Sequence, residues 1–223
     1  MSLPALIMGS LGVLAEISEL QRRAFNTAFE EHGLFWHWDE AAYRKLLEVP
    51  GCKPRIRYYA MARGIEVDVD AIHASKMHAM KLALDQGIPL RDGILDLIKR
   101  AKDRGVAVAI ATRSPPVLVD LVFHGLRSQI SRDDFDVIAD ASYLDEAQPS
   151  AEIYQLALTQ LGADASRSIA MEDMPEDCEA ALAAGLETYA YPGRISVGRR
   201  FPDGVHVIER PDEGHLPPLF SAA

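Results

Sequence analysis

Three loops hold the residue types best suited to chemistry, and each follows a short apolar run. After "ALIM" come Gly9, Ser10, Leu11 and Gly12; after "VAIA" come Thr112, Arg113, Ser114 and Pro115; after "SIAM" come Glu172, Asp173, Met174 and Pro175. A guanidinium such as Arg113 grips a phosphate through two parallel N–H donors, so it suits an anion held without metal. Its ordinary alternative is an ion pair with Glu172 or Asp173. Ser10 and Ser114 become nucleophiles only where a base activates them, and neither has one close by in the sequence. Asp173 stands just before Pro175, the place of a helix N-cap, which would leave Glu172 solvated beside it. The first loop is chemically the emptiest, since no carboxylate follows its strand until Glu16. Elsewhere, His73 and His78 are five apart and miss the i, i+4 spacing of a helical metal site. Cys52 and Cys178 stand far apart with no histidine at ligand spacing, which suits a reducing compartment better than a disulfide framework or a zinc site.

Residues at the ends of apolar runs need a sheet to bring them together. Residues 5–8, 106–112, 136–139 and 168–171 read as strands, with a weaker fifth at 188–191. Between them lie amphipathic helices closed by glycine. In "GILDLIKRAKDRG" the residues Ile94, Leu95, Leu97, Ile98 and Ala101 make one face, and Gly105 is the stop. "SAEIYQLALTQLG" runs from Ser150 as cap to Gly162, and "MPEDCEAALAAG" carries Pro175, Glu176 and Asp177 in its first turn and Gly185 at its end. This alternation predicts an α/β fold, a Rossmann-like parallel sheet with helices on both faces. Residues 18–86 break it with helical patterns only: "SELQRRAFNTAFEEHG", "WDEAAYRKLLEV", "KPRIRYYAMARG" and "VDAIHASKMHAMKLALDQG". The expected organisation is therefore a core of residues 1–17 and 87–223 with a helical cap, 18–86, inserted after the first strand. Ligands of such sheets bind outside the carboxyl ends of the strands.

Bulk properties narrow the partners. The 223 residues carry a formal net charge of -10, and the pI is about 5.1, which disfavours nucleic acid and anionic membrane surfaces. The longest apolar candidate, "GVAVAIAT", is strand-sized, and "MSLPALIM" lacks the basic start of a secretory signal. The expected location is the cytoplasm.

The motifs in this order resemble the haloacid dehalogenase superfamily of phosphohydrolases, in its branch with a small helical cap. Within it the likeness is to CbbY-type sugar-bisphosphate phosphatases, β-phosphoglucomutases and phosphoglycolate phosphatases. It rests on "RRAFNTAFEEHGL", "WHWDEAAYRKLLEV", "GCKPRI" where that family has G-G-K-x-R-I, "GIPLRDGI", "VAIAT", "QPSAEIYQLAL" and "MEDMPEDCEAALAAGL".

The resemblance also shows what has changed. The family's first motif is D-x-D-G-T-L, in which the first Asp attacks phosphorus and the second moves protons. Here those positions are Gly9 and Leu11, and the motif's Thr is Val13. The third motif's phosphate-binding Lys is Gln148, and the Ser and Gly of the fourth motif, E-D-S-x-x-G, are Met174 and Asp177. Glu172, Asp173 and the second motif's hydroxyl, Thr112, are kept. The resemblance implies a phosphate site at Thr112, where Arg113 would replace the lost charge, and a weakened Mg²⁺ site at Glu172 and Asp173. It implies sugar recognition in the cap by Gly51, Lys53, Arg55 and Lys76, although Pro54 and Met77 depart from the family. Phe35, Trp36 and Trp38 read as cap core, and His32 and His37 as residues without a partner. Removing a catalytic unit leaves only ~10³–10⁴-fold acceleration over water in other enzymes. Phosphate monoesters need up to ~10²¹, so the expectation is a binding or regulatory protein for a small phosphorylated sugar, with no cofactor beyond weak Mg²⁺. The alternatives are hydrolysis by non-standard groups, and a protein-interaction partner with no ligand.

Overall fold

The computed structural model describes residues 3–143 and 151–211. A parallel sheet is built from β1 (Ala5–Met8), β2 (Ala107–Ala111), β3 (Val137–Ala139), β4 (Ile169–Glu172), β5 (Glu187–Ala190) and β6 (His206–Val207). Their order is β3-β2-β1-β4-β5-β6. The five anticipated strands are present; β6 is additional, and its two exposed residues are too few to show alternation in the sequence.

β1 lies at the centre and all four of its residues are buried, as a strand covered on both faces must be. Alternation turns Ala5 and Ile7 toward one layer, where they meet Ile153, Tyr154, Ala157 and Leu158 of α8 (Glu152–Leu161) and Ala180 and Ala181 of α9 (Pro175–Ala183). α6 (Ile94–Asp103) packs on β2 and buries Ile94, Leu97, Ile98 and Ala101, the face anticipated from its spacing except for Leu95. α7 (Pro116–Leu126) buries Leu118, Val119, Val122, Phe123 and Leu126. α8 ends where Gly162 turns left-handed with φ 62°, a conformation that costs glycine least. Ser150, expected to cap its start, lies outside the described residues.

Contacts divide the chain into two units, Met1–Glu16 with Gly87–Ala223, and Ile17–Gln86. The second unit is the helical insert, with α2 (Ile17–Glu31), α3 (Glu40–Leu46), α4 (Cys52–Met61) and α5 (Val69–Asp85). Its core packs Phe25 against Trp38 at 4.7 Å between ring centroids, the rings tilted by 52°, with Phe29, Trp36 and Tyr43 around them. Asn26 locks the following loop by accepting from Trp38 N–H at 2.8 Å and donating to the Trp38 carbonyl at 3.0 Å. Phe35, expected in this core, is instead fully exposed, because Trp36 and Trp38 alternate inward on the same extended stretch.

The register sets the site. Met8 pairs with Ile110 on one side and Met171 on the other, so the loops that start at Gly9, Thr112 and Asp173 leave the same edge of the sheet. Between β1 and β4 the strand order reverses, the position at which open α/β sheets bind ligands.

Candidate active site in the core

Gly9 still bonds the sheet, its N–H donating to the Met171 carbonyl at 3.0 Å. It offers no side chain, and the room for one is taken. A Cβ built on Gly9 would coincide with Oε1 of Glu172 and lie 2.6 Å from the Tyr154 hydroxyl. Tyr154 donates its O–H to that Glu172 oxygen, with the Asp177 carbonyl as a longer acceptor at 3.2 Å. Glu172 is therefore not solvated, as its sequence position suggested. It is the last residue of β4 and wholly buried, and its Oε2 has no hydrogen-bond partner.

Asp173 is not the helix cap expected either; Met174 holds that position and makes no side-chain cap bond. Asp173 Oδ1 instead accepts the Ser10 O–H at 2.5 Å. Ser10 begins α1 (Leu11–Leu14), a four-residue helix, and its hydroxyl crosses to the other loop rather than capping its own. Any Cβ at Gly12 would overlap the Asp173 carboxylate, so this close approach requires glycine. Leu11 and Val13 are buried. Arg91 pins the loop from behind, donating to the carbonyls of Gly12 at 2.9 Å, Tyr191 at 2.8 Å and Pro192 at 2.7 Å.

Thr112 is buried; its N–H donates to the Ala139 carbonyl at 2.8 Å, and its hydroxyl accepts from Ser114 N–H at 3.2 Å. Arg113 forks onto Asp177. Its Nη2 and Nε reach Asp177 Oδ1 at 2.7 and 3.1 Å. One turn of α9 brings Asp177 back over the strand ends, a juxtaposition with no trace in the local sequence. Gln148 lies outside the described residues.

Ligand oxygens of Glu172, Asp173 and Asp177 lie within 4.8 Å of one another. Burial raises the pKa of all three. It lifts Glu172 well above the usual carboxylate range, with Asp177 adding to the effect. Burial also raises Asp173, to about 6, although the Ser10 hydrogen bond opposes it. For Asp177 burial outweighs the Arg113 guanidinium. In donor type the cluster fits the hard divalent cation of the family, and Glu172 Oε2 is an uncommitted oxygen within it. Asp173, Glu172 and Asp177 would hold such an ion, which supplies positive charge to a phosphate oxygen when bound. It would have to displace the Ser10 and Arg113 donors, and position 9 adds no side-chain ligand.

In the insert, Gly51 precedes α4 with φ 85°, and Lys53 is exposed and paired with Asp70 at 2.6 Å. Arg55 and Lys76 are not solvated surface. Arg55 is buried and donates to the carbonyls of Leu46 at 2.7 Å and Val49 at 3.0 Å, closing the end of α3. Lys76 is buried against Gln21, Cys52 and Met77. His32, read as unpartnered, meets the Ser75 hydroxyl at 3.0 Å.

The sequence matches the family model of haloacid dehalogenase-like hydrolases over residues 9–185, and the chain belongs to that family. Among curated proteins it is 38% identical over 186 residues to Protein CbbY of Cereibacter sphaeroides, covering 82% of this chain and 81% of that one. It is 36% identical over 213 residues to the plasmid-encoded Protein CbbY of Cupriavidus necator, covering 92% and 84%. Among solved structures, a mutant of CbbY from Rhodobacter sphaeroides in complex with xylulose-(1,5)bisphosphate superposes with a TM-score of 0.81 at 34% identity, covering 93% of this chain and 94% of that one. The same CbbY has also been solved with phosphate, at the same score.

Proposed function

We propose that this chain has given up hydrolysis through an aspartyl-phosphate and binds a small phosphorylated sugar as a non-catalytic or regulatory member of its family. One observation carries the reading: at position 9 there is no carboxylate, and the Glu172–Tyr154 pair occupies the space into which one would project. Leu11 removes the proton-transfer group as well, and it is packed into the core. A buried apolar side chain can neither attack phosphorus nor move a proton. The relatives' complexes with xylulose-(1,5)bisphosphate and phosphate support a ligand of that class.

In this reading a phosphate ester takes the place of the Asp177 carboxylate on Arg113, with Thr112 beside it. The exchange is feasible because the side chain of Arg113 is 27% exposed and the guanidinium fork accepts either anion. In the insert, Lys53 is the exposed cation of the recognition signature, while Arg55 and Lys76 hold its helices together.

The test pairs two assays on purified protein: phosphate release from xylulose 1,5-bisphosphate with Mg²⁺, and calorimetric titration with the same compound and with inorganic phosphate. Binding without release is expected. Release at ordinary enzymatic rates would refute the reading. The Ser10–Asp173 contact favours a second one, in which the Ser10 oxygen attacks phosphorus as the bond to the sugar oxygen breaks, the Ser10 proton passes by way of Asp173 to that departing oxygen, and water then cleaves the phosphoserine to release phosphate. Release that disappears in Ser10→Ala would establish it.

A further inference from the structure

One carboxylate in the core faces two kinds of partner. Asp177 Oδ1 accepts from Arg113 twice, from Nη2 at 2.7 Å and from Nε at 3.1 Å. Asp177 also belongs, with Glu172 and Asp173, to the group whose ligand oxygens lie within 4.8 Å of one another. Within that group Glu172 is wholly buried and its Oε2 has no hydrogen-bond partner. An orphaned buried oxygen is costly, and what three converging carboxylates lack is a cation. The side chains of Arg113 and Asp177 are 27% and 14% exposed, so the pair can part without opening the core. The Asp177 carbonyl accepts from Tyr154 at 3.2 Å, which holds its backbone in place while the side chain turns.

We propose that Asp177 is an exchangeable carboxylate that couples two ligands. On Arg113 it keeps the anion-binding fork closed; on a divalent cation beside Glu172 and Asp173 it leaves the fork open to phosphate. The inference rests on the reading above, in which Arg113 receives the phosphate ester. Removing one member of a partly buried ion pair leaves the other uncompensated. The exchange avoids that at both ends, because Asp177 trades one cation for another and Arg113 trades one anion for another. Linkage then requires each ligand to tighten the other by the same factor. The fourth motif of the family has glycine where this chain has Asp177, so the device comes from a side chain that the motif does not supply.

Calorimetric titration of the full-length protein with inorganic phosphate, with and without Mg²⁺, needs no variant. Phosphate should bind at least about fivefold tighter with Mg²⁺, the lower end of ordinary coupling between sites. Asp177→Ala should bind phosphate without Mg²⁺ about as tightly as wild type does with it, and Mg²⁺ should then change the affinity by less than about twofold. In the other direction, Arg113→Ala releases Asp177 and should bind Mg²⁺ alone at least about fivefold tighter than wild type. Wild-type phosphate binding that is indifferent to Mg²⁺ overturns the exchange and leaves the sugar-phosphate reading standing. A Mg²⁺ effect that survives Asp177→Ala overturns it as well, since attraction between neighbouring charges would then suffice. Phosphate that binds neither wild type nor Asp177→Ala overturns the sugar-phosphate reading itself. Arg113→Ala that binds Mg²⁺ no tighter than wild type overturns the exchange whatever phosphate does.

Discussion

Adding one methyl group at position 9 tests the occupied pocket most directly. Gly9 does not have a positive φ, so alanine suits its backbone and any effect is steric. The new Cβ falls on the Glu172 carboxylate, which has to leave Tyr154 and carry its burial elsewhere. Overpacking of a tight core costs about 1–3 kcal/mol, and a buried hydrogen bond broken with its partners left behind costs a similar ~1–3 kcal/mol. The two overlap, so Gly9→Ala should destabilise the core by about 2–4 kcal/mol. At roughly 3 °C per kcal/mol for a domain of this size, the midpoint falls by about 6–12 °C. Far-UV circular dichroism against temperature reads the change. Both tryptophans, Trp36 and Trp38, are in the insert, so their fluorescence follows that unit separately. Removing the obstacle should rescue the variant, with Glu172→Ala/Gly9→Ala losing less than the sum of the single changes by at least about 1 kcal/mol. Additive losses, or a Gly9→Ala midpoint within a degree or two of wild type, would show that Glu172 does not fill the pocket.

Tyr154→Phe should cost about 1–3 kcal/mol, because it strips the remaining donor from a wholly buried carboxyl; denaturant midpoints read it. Asp177→Ala should tighten inorganic phosphate binding severalfold and Arg113→Ala should abolish it, both by calorimetry, since the first removes a competing anion and the second the fork. Arg22 and, less strongly, Arg23 hold Glu19 at about 2, well below its ordinary 4.5. Its contribution is fully present above pH ~4.5 and disappears as pH falls through ~2, so Glu19→Gln should erase about 1–3 kcal/mol of acid-sensitive stability in the insert, followed by tryptophan fluorescence. Restoring Gly9→Asp, Leu11→Asp and Gln148→Lys together should return only a small part of a CbbY-like rate of phosphate release, because Glu172 and Tyr154 still crowd position 9.

Strands and helices were legible wherever burial left a period or a glycine marked an end. Residues 18–86 carry helical spacing alone, and contacts set off Ile17–Gln86 as a unit. That position 9 carries no carboxylate needed no structure. What fills its place did, since Glu172 meets Tyr154 across eighteen positions and Arg113 meets Asp177 across sixty-four. Pairings at such separations leave no local pattern. Ser10 shows the same limit from the other side, for its carboxylate partner is one hundred and sixty-three residues away. The burial of two cationic residues of the insert was not legible for a different reason. Arg55 and Lys76 occupy positions whose types are ordinarily solvated, and only packing shows that their aliphatic stems and charged ends are enclosed.

The central place of β1 has a consequence for the order of synthesis. Its neighbours begin at Ala107 and Ile169, so a ribosome adding ~5–20 residues per second delivers the first pairing partner about 5–20 s after β1, and the second later still. Helices form in microseconds, so the entire insert can be folded while four apolar residues ahead of it wait with no edge to join. The nascent chain thus carries a finished domain behind an unpaired hydrophobic strand. That strand is what a chaperone would find first, and its second partner arrives only when residues 169–172 have been made.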